Sequence, residues 1–120
     1  MQNFGQFLHC IRKRQNAAQL VKNVGISYVY LLDIEKGARS APKEDILVAL
    51  ADNLLFDEGE REIFFDLAAK ERKSVPADIS TYMQEHYEVI EFLRELKKKD
   101  VPIRYYEKMR KMIVEATEND

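Results

Sequence analysis

The sequence predicts an all-α protein: a five-helix domain followed by a helical extension. Three observations carry this. Helix breakers are sparse, with four glycines and three prolines in 120 residues. Apolar residues recur at i, i+3, i+4 and i+7 along almost the whole chain, the spacing of a helix buried on one face. Alternating β-branched runs, which would mark half-buried strands, are nearly absent. With 46% apolar and 33% charged residues, the composition is that of a folded chain and not a disordered one.

The first helix is expected over Asn3–Arg14, with Phe4, Phe7, Leu8 and Ile11 on its apolar face. Cys10 lies beside Ile11 and reads as a small buried hydrophobe. The basic run Arg12-Lys13-Arg14 ends the helix. Cations there suit the helix dipole, and they also suit phosphate contact; both readings stay open. Asn16 is a suitable N-cap for a second helix carrying Ala17, Leu20, Val21 and Val24. Gly25 supplies a position of positive φ, and Ser27 stands where the next helix needs a capping oxygen. That third helix, Ser27–Lys36, turns Tyr30, Leu31 and Ile34 inward. Tyr28, Val29, Leu32 and Asp33 then point outward, with Lys36 at its end. A helix, a glycine turn and a capped helix make a helix-turn-helix.

Val24-Gly25-Ile26-Ser27, Tyr30-Leu31 and Ile34-Glu35-Lys36-Gly37 together resemble the signature of the phage-repressor-like (XRE) helix-turn-helix transcriptional regulators. The likeness covers about twenty positions. It implies a lambda-repressor-like DNA-binding domain over residues 1–72, with double-stranded DNA as the partner. By the same likeness, Ser27, Tyr28, Val29 and Leu32 face the major groove, where this motif reads bases. Asn16, Gln19, Lys36 and Arg39 position the domain on the backbone, with Lys22 beside Gln19. Arg39 is the sole charge in the loop 37–42. The resemblance also implies a structural ion pair between Arg12 and Glu35. The sequence departs from the family pattern in three places. The link before the second helix is shorter by about two residues, Ala17 stands where relatives carry a glutamine, and Val21 replaces an alanine.

A fourth helix is expected over Lys43–Leu54, started by Pro42, with Ile46, Leu47, Leu50 and Leu54 as its stripe. Asp57 reads as the N-cap of a fifth, in a capping-box-like start with Glu60. That helix runs to Lys70 and turns Ile63, Phe64, Leu67 and Ala68 inward. The charged run 70–73 and Val75-Pro76 mark a boundary. Residues 73–120 then read as a helical extension for dimerisation. Its first helix opens at Pro76 with Ile79, Tyr82 and Met83. A second spans Tyr87–Lys99, and a third, Ile103–Ala116, carries Tyr105, Tyr106, Met109, Met112 and Ile113. Residues from Glu115 to Asp120 are expected to fray.

Charge is uneven. Residues 1–56 hold seven Lys/Arg against five Asp/Glu, and residues 57–120 hold twelve against sixteen, for a net −2 overall. The half with the helix-turn-helix is thus mildly basic. One cysteine, no apolar run near the ~20 residues that cross a bilayer, and no signal-like opening fit a cytoplasmic protein. His9 and His86 lie apart, with no Cys/His cluster for a metal, and no cofactor or small-molecule ligand is expected. No phosphate-cradling glycine loop or nucleophile–base pair suggests an enzyme. Two functions follow: a sequence-specific transcriptional regulator, most simply a repressor acting as a homodimer, or a protein-interaction module on a helix-turn-helix scaffold with weak or no DNA binding. The resemblance makes the regulator the leading reading; the acidic balance, the apolar outward face of the third helix and Ala17 in place of a glutamine speak for the second.

Overall fold

In the computed structural model, which describes residues 2–118, all regular structure is helical. The order among the described residues is α1 (Phe4–Arg12), α2 (Ala17–Val24), α3 (Tyr28–Lys36), α4 (Glu44–Asn53), α5 (Glu60–Arg72), α6 (Ala77–Glu85), α7 (Tyr87–Lys98) and α8 (Ile103–Glu118). The chain divides into two compact units, Met1–Tyr82 and Met83–Asp120. Among the described residues, no helix is long and apolar enough to cross a membrane.

Local chemistry sets the helix starts. Asn3 caps α1 through a capping box: its Oδ1 accepts from the Gln6 amide at 2.9 Å, and the Asn3 amide donates back to Gln6 Oε1 at 3.0 Å. α1 stops at Arg12, two residues short of the expected Arg14, because residues 13–15 turn towards α2. Asn16 and Ser27 cap α2 and α3 through their side-chain oxygens, to the Gln19 amide at 2.9 Å and the Tyr30 amide at 3.0 Å. Asp57 is not the cap of α5. Gly59 takes that place with φ 81°, and Glu60 reaches back to the Asp57 amide at 2.6 Å while the Asp57 side chain stays in solvent.

In the first unit, α1 packs on α3 and α5, and α2 packs on α3 and α4. Phe4, Leu8, Ile11, Leu20, Leu31, Ile34, Leu50, Phe64 and Phe65 are fully buried. Phe64 is the hub, with ring centroids 5.1 Å from Phe4, 5.4 Å from Phe56 and 5.5 Å from Phe65. Tilted and edge contacts of this kind add stabilisation beyond area burial. Two expectations change here. Ile63 is exposed, and Phe65 takes the inward place beside Phe64, because α5 is rotated about its axis relative to the predicted stripe. Cys10 is exposed, not buried: it falls on the outer side of α1 and its Sγ accepts from Gln2 Nε2 at 3.2 Å.

α1 lies unusually close to the end of α3. A Cβ built on Gly5 would stand 2.5 Å from the Ile34 carbonyl oxygen and 2.8 Å from that of Glu35. Only glycine permits this approach of helix to backbone.

α6 contributes Ala77 to the core of the first unit, and Thr81 Oγ1 donates to Glu44 Oε1 at 2.9 Å. Ile79 and Tyr82, the large apolar residues of this helix, are about half exposed. In the second unit, α7 and α8 contain no buried residue. α8 continues through Glu118, so Glu115–Glu118 are helical and not frayed; Asn119 and Asp120 lie outside the described residues.

Candidate nucleic-acid interface

The surface of interest is built by α2, the three residues that follow it, α3 and the loop 37–42. Gly25 adopts φ 84°, and its amide and that of Ile26 both donate to the Val21 carbonyl, at 2.8 and 3.1 Å. This closes α2 in one residue and lets Ser27 start α3 two residues later. Leu31 and Ile34 anchor α3 in the core at 0% and 1% exposure, with Tyr30 half-buried. The opposite side of the first turn is free. Tyr28 is 46% exposed and Val29 67%. Leu32 and Asp33 are half-buried, and Lys36 is exposed.

The other candidates divide by what their polar atoms already do. Asn16 and Ser27 are exposed, but their side-chain oxygens are engaged as caps. Gln19 donates from Nε2 to Asn23 Oδ1 at 2.9 Å, one turn along α2. Lys22 is exposed on the same helix. Arg39 places its guanidinium 5.6 Å from the Tyr30 ring centroid, a cation–π contact that steers it along the surface of α3.

The loop bearing Arg39 is held from behind. The Arg39 amide donates to the Asp33 carbonyl at 3.1 Å. The Ala41 amide donates to Glu71 Oε1 at 2.7 Å, and the Ala41 carbonyl accepts from Arg72 Nη1 at 2.9 Å. Sequence reasoning read Glu71 and Arg72 only as part of a charged boundary. No periodicity could assign them, because their partner is a backbone thirty residues away.

Beneath α3, Glu35 is buried, its side chain 4% exposed. Arg12 grips it bidentately, Nε to Oε2 at 2.8 Å and Nη2 to Oε1 at 2.5 Å, and His9 Nδ1 lies 2.6 Å from Oε1. Burial by itself would raise the Glu35 carboxyl, but hydrogen bonds and positive charge from Arg12 and His9 outweigh it and hold it below the usual glutamate range. The same pair raises Arg12 above its ordinary value. The arrangement ties the last turn of α3 to α1 and so fixes the angle at which α3 is presented. His9 was not foreseen as a member; its position three residues before Arg12 on one helix face was the available signal.

Apart from the Arg12–Glu35 pair, the basic run of α1 is engaged in a way that neither the dipole nor the phosphate reading anticipates. Arg12 is spent on Glu35. Arg14 donates to Glu60 at 2.6 and 3.0 Å and to the Leu55 carbonyl at 3.0 Å. Lys13 alone is left exposed without such a partner among the described residues. The Arg14 hydrogen bonds, with the Asp57 amide, keep the Glu60 carboxyl below its usual range. Gln15 bridges too, donating to the Asn53 carbonyl at 2.7 Å and accepting from the Leu55 amide at 3.1 Å. The short link between α1 and α2 is thus a clamp onto the end of α4.

Among the described residues, no group of three or more His, Cys, Asp or Glu is placed to hold a metal ion. Comparison of the chain with family models, with curated proteins and with solved structures returned no match.

Proposed function

We propose that the first unit is a phage-repressor-like helix-turn-helix domain and that the chain is a sequence-specific DNA-binding transcriptional regulator, most simply a repressor. The observation that carries this is the first turn of α3. On a helix whose inner face is sealed in the core, Tyr28 and Val29 stand in solvent at 46% and 67% exposure. A buried, capped, ion-pair-fixed helix that projects large side chains from its N-terminal turn has the form that enters a major groove. In this reading Val29 contacts a thymine methyl, and Tyr28 contacts a base edge or sugar. Lys22, Lys36 and Arg39 contact phosphates, and Asn16, Gln19 and Leu32 border the contact. Specific sites for such domains are usually read by two copies. A homodimer through α7 and α8 supplies them, supported by the exposed apolar residues of those helices, Met112 at 67% and Ile113 at 64% among them.

One observation favours the interaction-module reading: before Lys36, the outward face of α3 offers no Arg, Lys, Asn or Gln. Anisotropy of labelled random duplex DNA, titrated with the full chain from low to physiological salt, separates the two. A regulator binds at low salt and loses affinity steeply as salt rises. Arg39→Ala lowers affinity on every sequence, whereas Tyr28→Ala alters the sequences recovered from a random library. Absence of binding even at low salt refutes the regulator.

A further inference from the structure

The most basic surface of the chain is not on the unit that carries α3. Between residues 97 and 111 the sequence holds seven Lys/Arg against two Asp/Glu, and no fifteen-residue stretch outside this segment holds more than four Lys/Arg. These residues span the end of α7, a four-residue connector and the first half of α8. The connector is tight: the Lys99 amide donates to the Glu95 carbonyl at 3.0 Å, the Val101 amide to the Leu96 carbonyl at 3.2 Å, and Asp100 takes φ 48°. It therefore joins the basic end of one helix directly to the basic start of the next.

Helix stability explains only half of this. Lys97 and Lys98 lie in the last turn of α7, where cations oppose the negative end of the dipole. On α8 the order is reversed. Arg104 sits in the first turn, no acidic residue accompanies it there, and Glu115 and Glu118 sit in the last turn, with no basic residue. Both ends are placed against the dipole, so local stability does not account for them. Nor do ion pairs. Arg110 lies 3.6 Å from Glu107, but among the described residues Lys97, Lys98, Lys99, Arg104, Lys108 and Lys111 have no carboxylate within salt-bridge reach. Arg104 and Lys108 instead sit over the Tyr105 ring, 5.1 and 5.3 Å from its centroid, so an aromatic platform carries two of the cations. The positive N-terminus of α8 adds to their field.

We infer that the α7–α8 corner is a nucleic-acid backbone contact, recognising the phosphates of duplex DNA through Lys97, Lys98, Lys99, Arg104, Lys108 and Lys111. This rests on the proposal that the chain binds DNA, but it assigns sequence-independent affinity to a surface separate from α3. It fits the scarcity of cations around α3: where base contacts are largely apolar, phosphate contacts have to supply the binding free energy. A nucleic acid fits better than an anionic bilayer because the cations come from the end of one helix, its connector and the start of the next, whereas a helix lying in a lipid surface carries them along one polar face, and on α8 that face also holds Glu107 and Glu115.

The test uses the full chain and two variants, K97Q/K98Q/K99Q and R104Q/K108Q/K111Q. Glutamine keeps helix propensity close to that of Lys and Arg, and circular dichroism checks that the helix content is retained. Each variant is expected to bind random duplex DNA about 10–100-fold more weakly at physiological salt, with the log–log salt slope reduced by about 0.9 for every cation that contacts a phosphate. The loss is the same on all sequences, whereas Tyr28→Ala changes preference and leaves the slope intact. Unchanged affinity and slope in both variants overturn the inference while leaving α3 in place. Loss of binding to phosphatidylserine vesicles, with DNA binding retained, overturns it in favour of a membrane surface. Weakening by the corner variants with a silent Tyr28→Ala overturns the recognition-helix proposal and leaves the corner standing. No DNA binding by the unaltered chain overturns both.

Discussion

Gly5→Ala sets two effects of opposite sign against each other. On propensity alone, alanine in a helix is favoured over glycine by about 1 kcal/mol. Against this stands the contact with α3. The new Cβ would lie 2.5 Å from the Ile34 oxygen and 2.8 Å from the Glu35 oxygen, both backbone atoms that cannot rotate away. Restoring van der Waals distance requires α1 to retreat by about 1 Å, and interiors packed at crystal density resist such shifts. Overpacking of this kind costs about 1–3 kcal/mol and occasionally more. Here the retreat also pulls Arg12 and His9 away from Glu35, whose own carbonyl is one of the clashing atoms. With two fixed backbone oxygens in the way the steric cost lies at the upper end of that range, which leaves a net loss of about 2 kcal/mol once the propensity gain is deducted. For a unit of this size that lowers Tm by about 10 °C. Thermal and urea unfolding followed by circular dichroism read it out. Gly25→Ala is the control: Gly25 has φ 84° with nothing within 4 Å, so its cost is conformational only, about 1–2 kcal/mol. An unchanged or raised Tm for Gly5→Ala refutes the close approach of α1 to α3.

Glu35→Gln leaves the Arg12 guanidinium, with a side chain 13% exposed, without its counter-charge, and is expected to cost about 3 kcal/mol in urea titrations at neutral pH. The Glu35 carboxyl is depressed from an ordinary value of 4.5, so its contribution to stability is complete above that pH and disappears as pH falls through the lower folded value. Acid titration of Tm should show this loss in the unaltered chain, and the Gln variant should lack that component. Ser27→Ala removes the oxygen that accepts from the Tyr30 amide and should cost about 1 kcal/mol, while weakening DNA binding through fraying of the first turn of α3. Phe64→Ala empties the hub of the aromatic cluster and should cost about 3–5 kcal/mol by chemical denaturation, whereas Ile63→Ala next to it, 47% exposed, should cost under 1 kcal/mol.

The helical character, the extents of α2, α3 and α7 to within a residue or so, and the caps Asn16 and Ser27 were legible because each is a local property. A side-chain oxygen three residues before an amide and an apolar stripe of period 3.6 can both be read without the rest of the molecule. What was missed depends on pairs far apart in sequence. Ile63 and Phe65 differ by two positions on a helix with neighbouring apolar residues at 63, 64, 65 and 67, and the rotation that buries Phe65 is set by tertiary packing, in which Phe64 sits against Phe4 and Phe56. Cys10 flanks the stripe of α1 on the side that no other helix covers. The exposure of Tyr28 and Val29 followed from the inward face of α3 by elimination, whereas Leu32 and Asp33, expected outward, are half-buried. The pinning of Arg39's loop by Glu71 and Arg72 could not, because neither end of those bonds has a sequence pattern of its own.

The contact between Phe4 and Phe64 joins residues sixty positions apart, and it seals the first helix against the fifth. Closing a chain segment of that length costs about 3.5 kcal/mol of entropy before the contact returns anything. Phe4, Leu8 and Ile11 therefore have no complete burial place on a ribosome until α5 has been made. α1 thus carries both contacts at once, its aromatic face against α5 and its Arg12 and His9 on Glu35 of α3. The angle of the candidate recognition helix is therefore coupled, through α1, to a part of the chain far along in sequence that never touches the candidate interface residues Tyr28 and Val29.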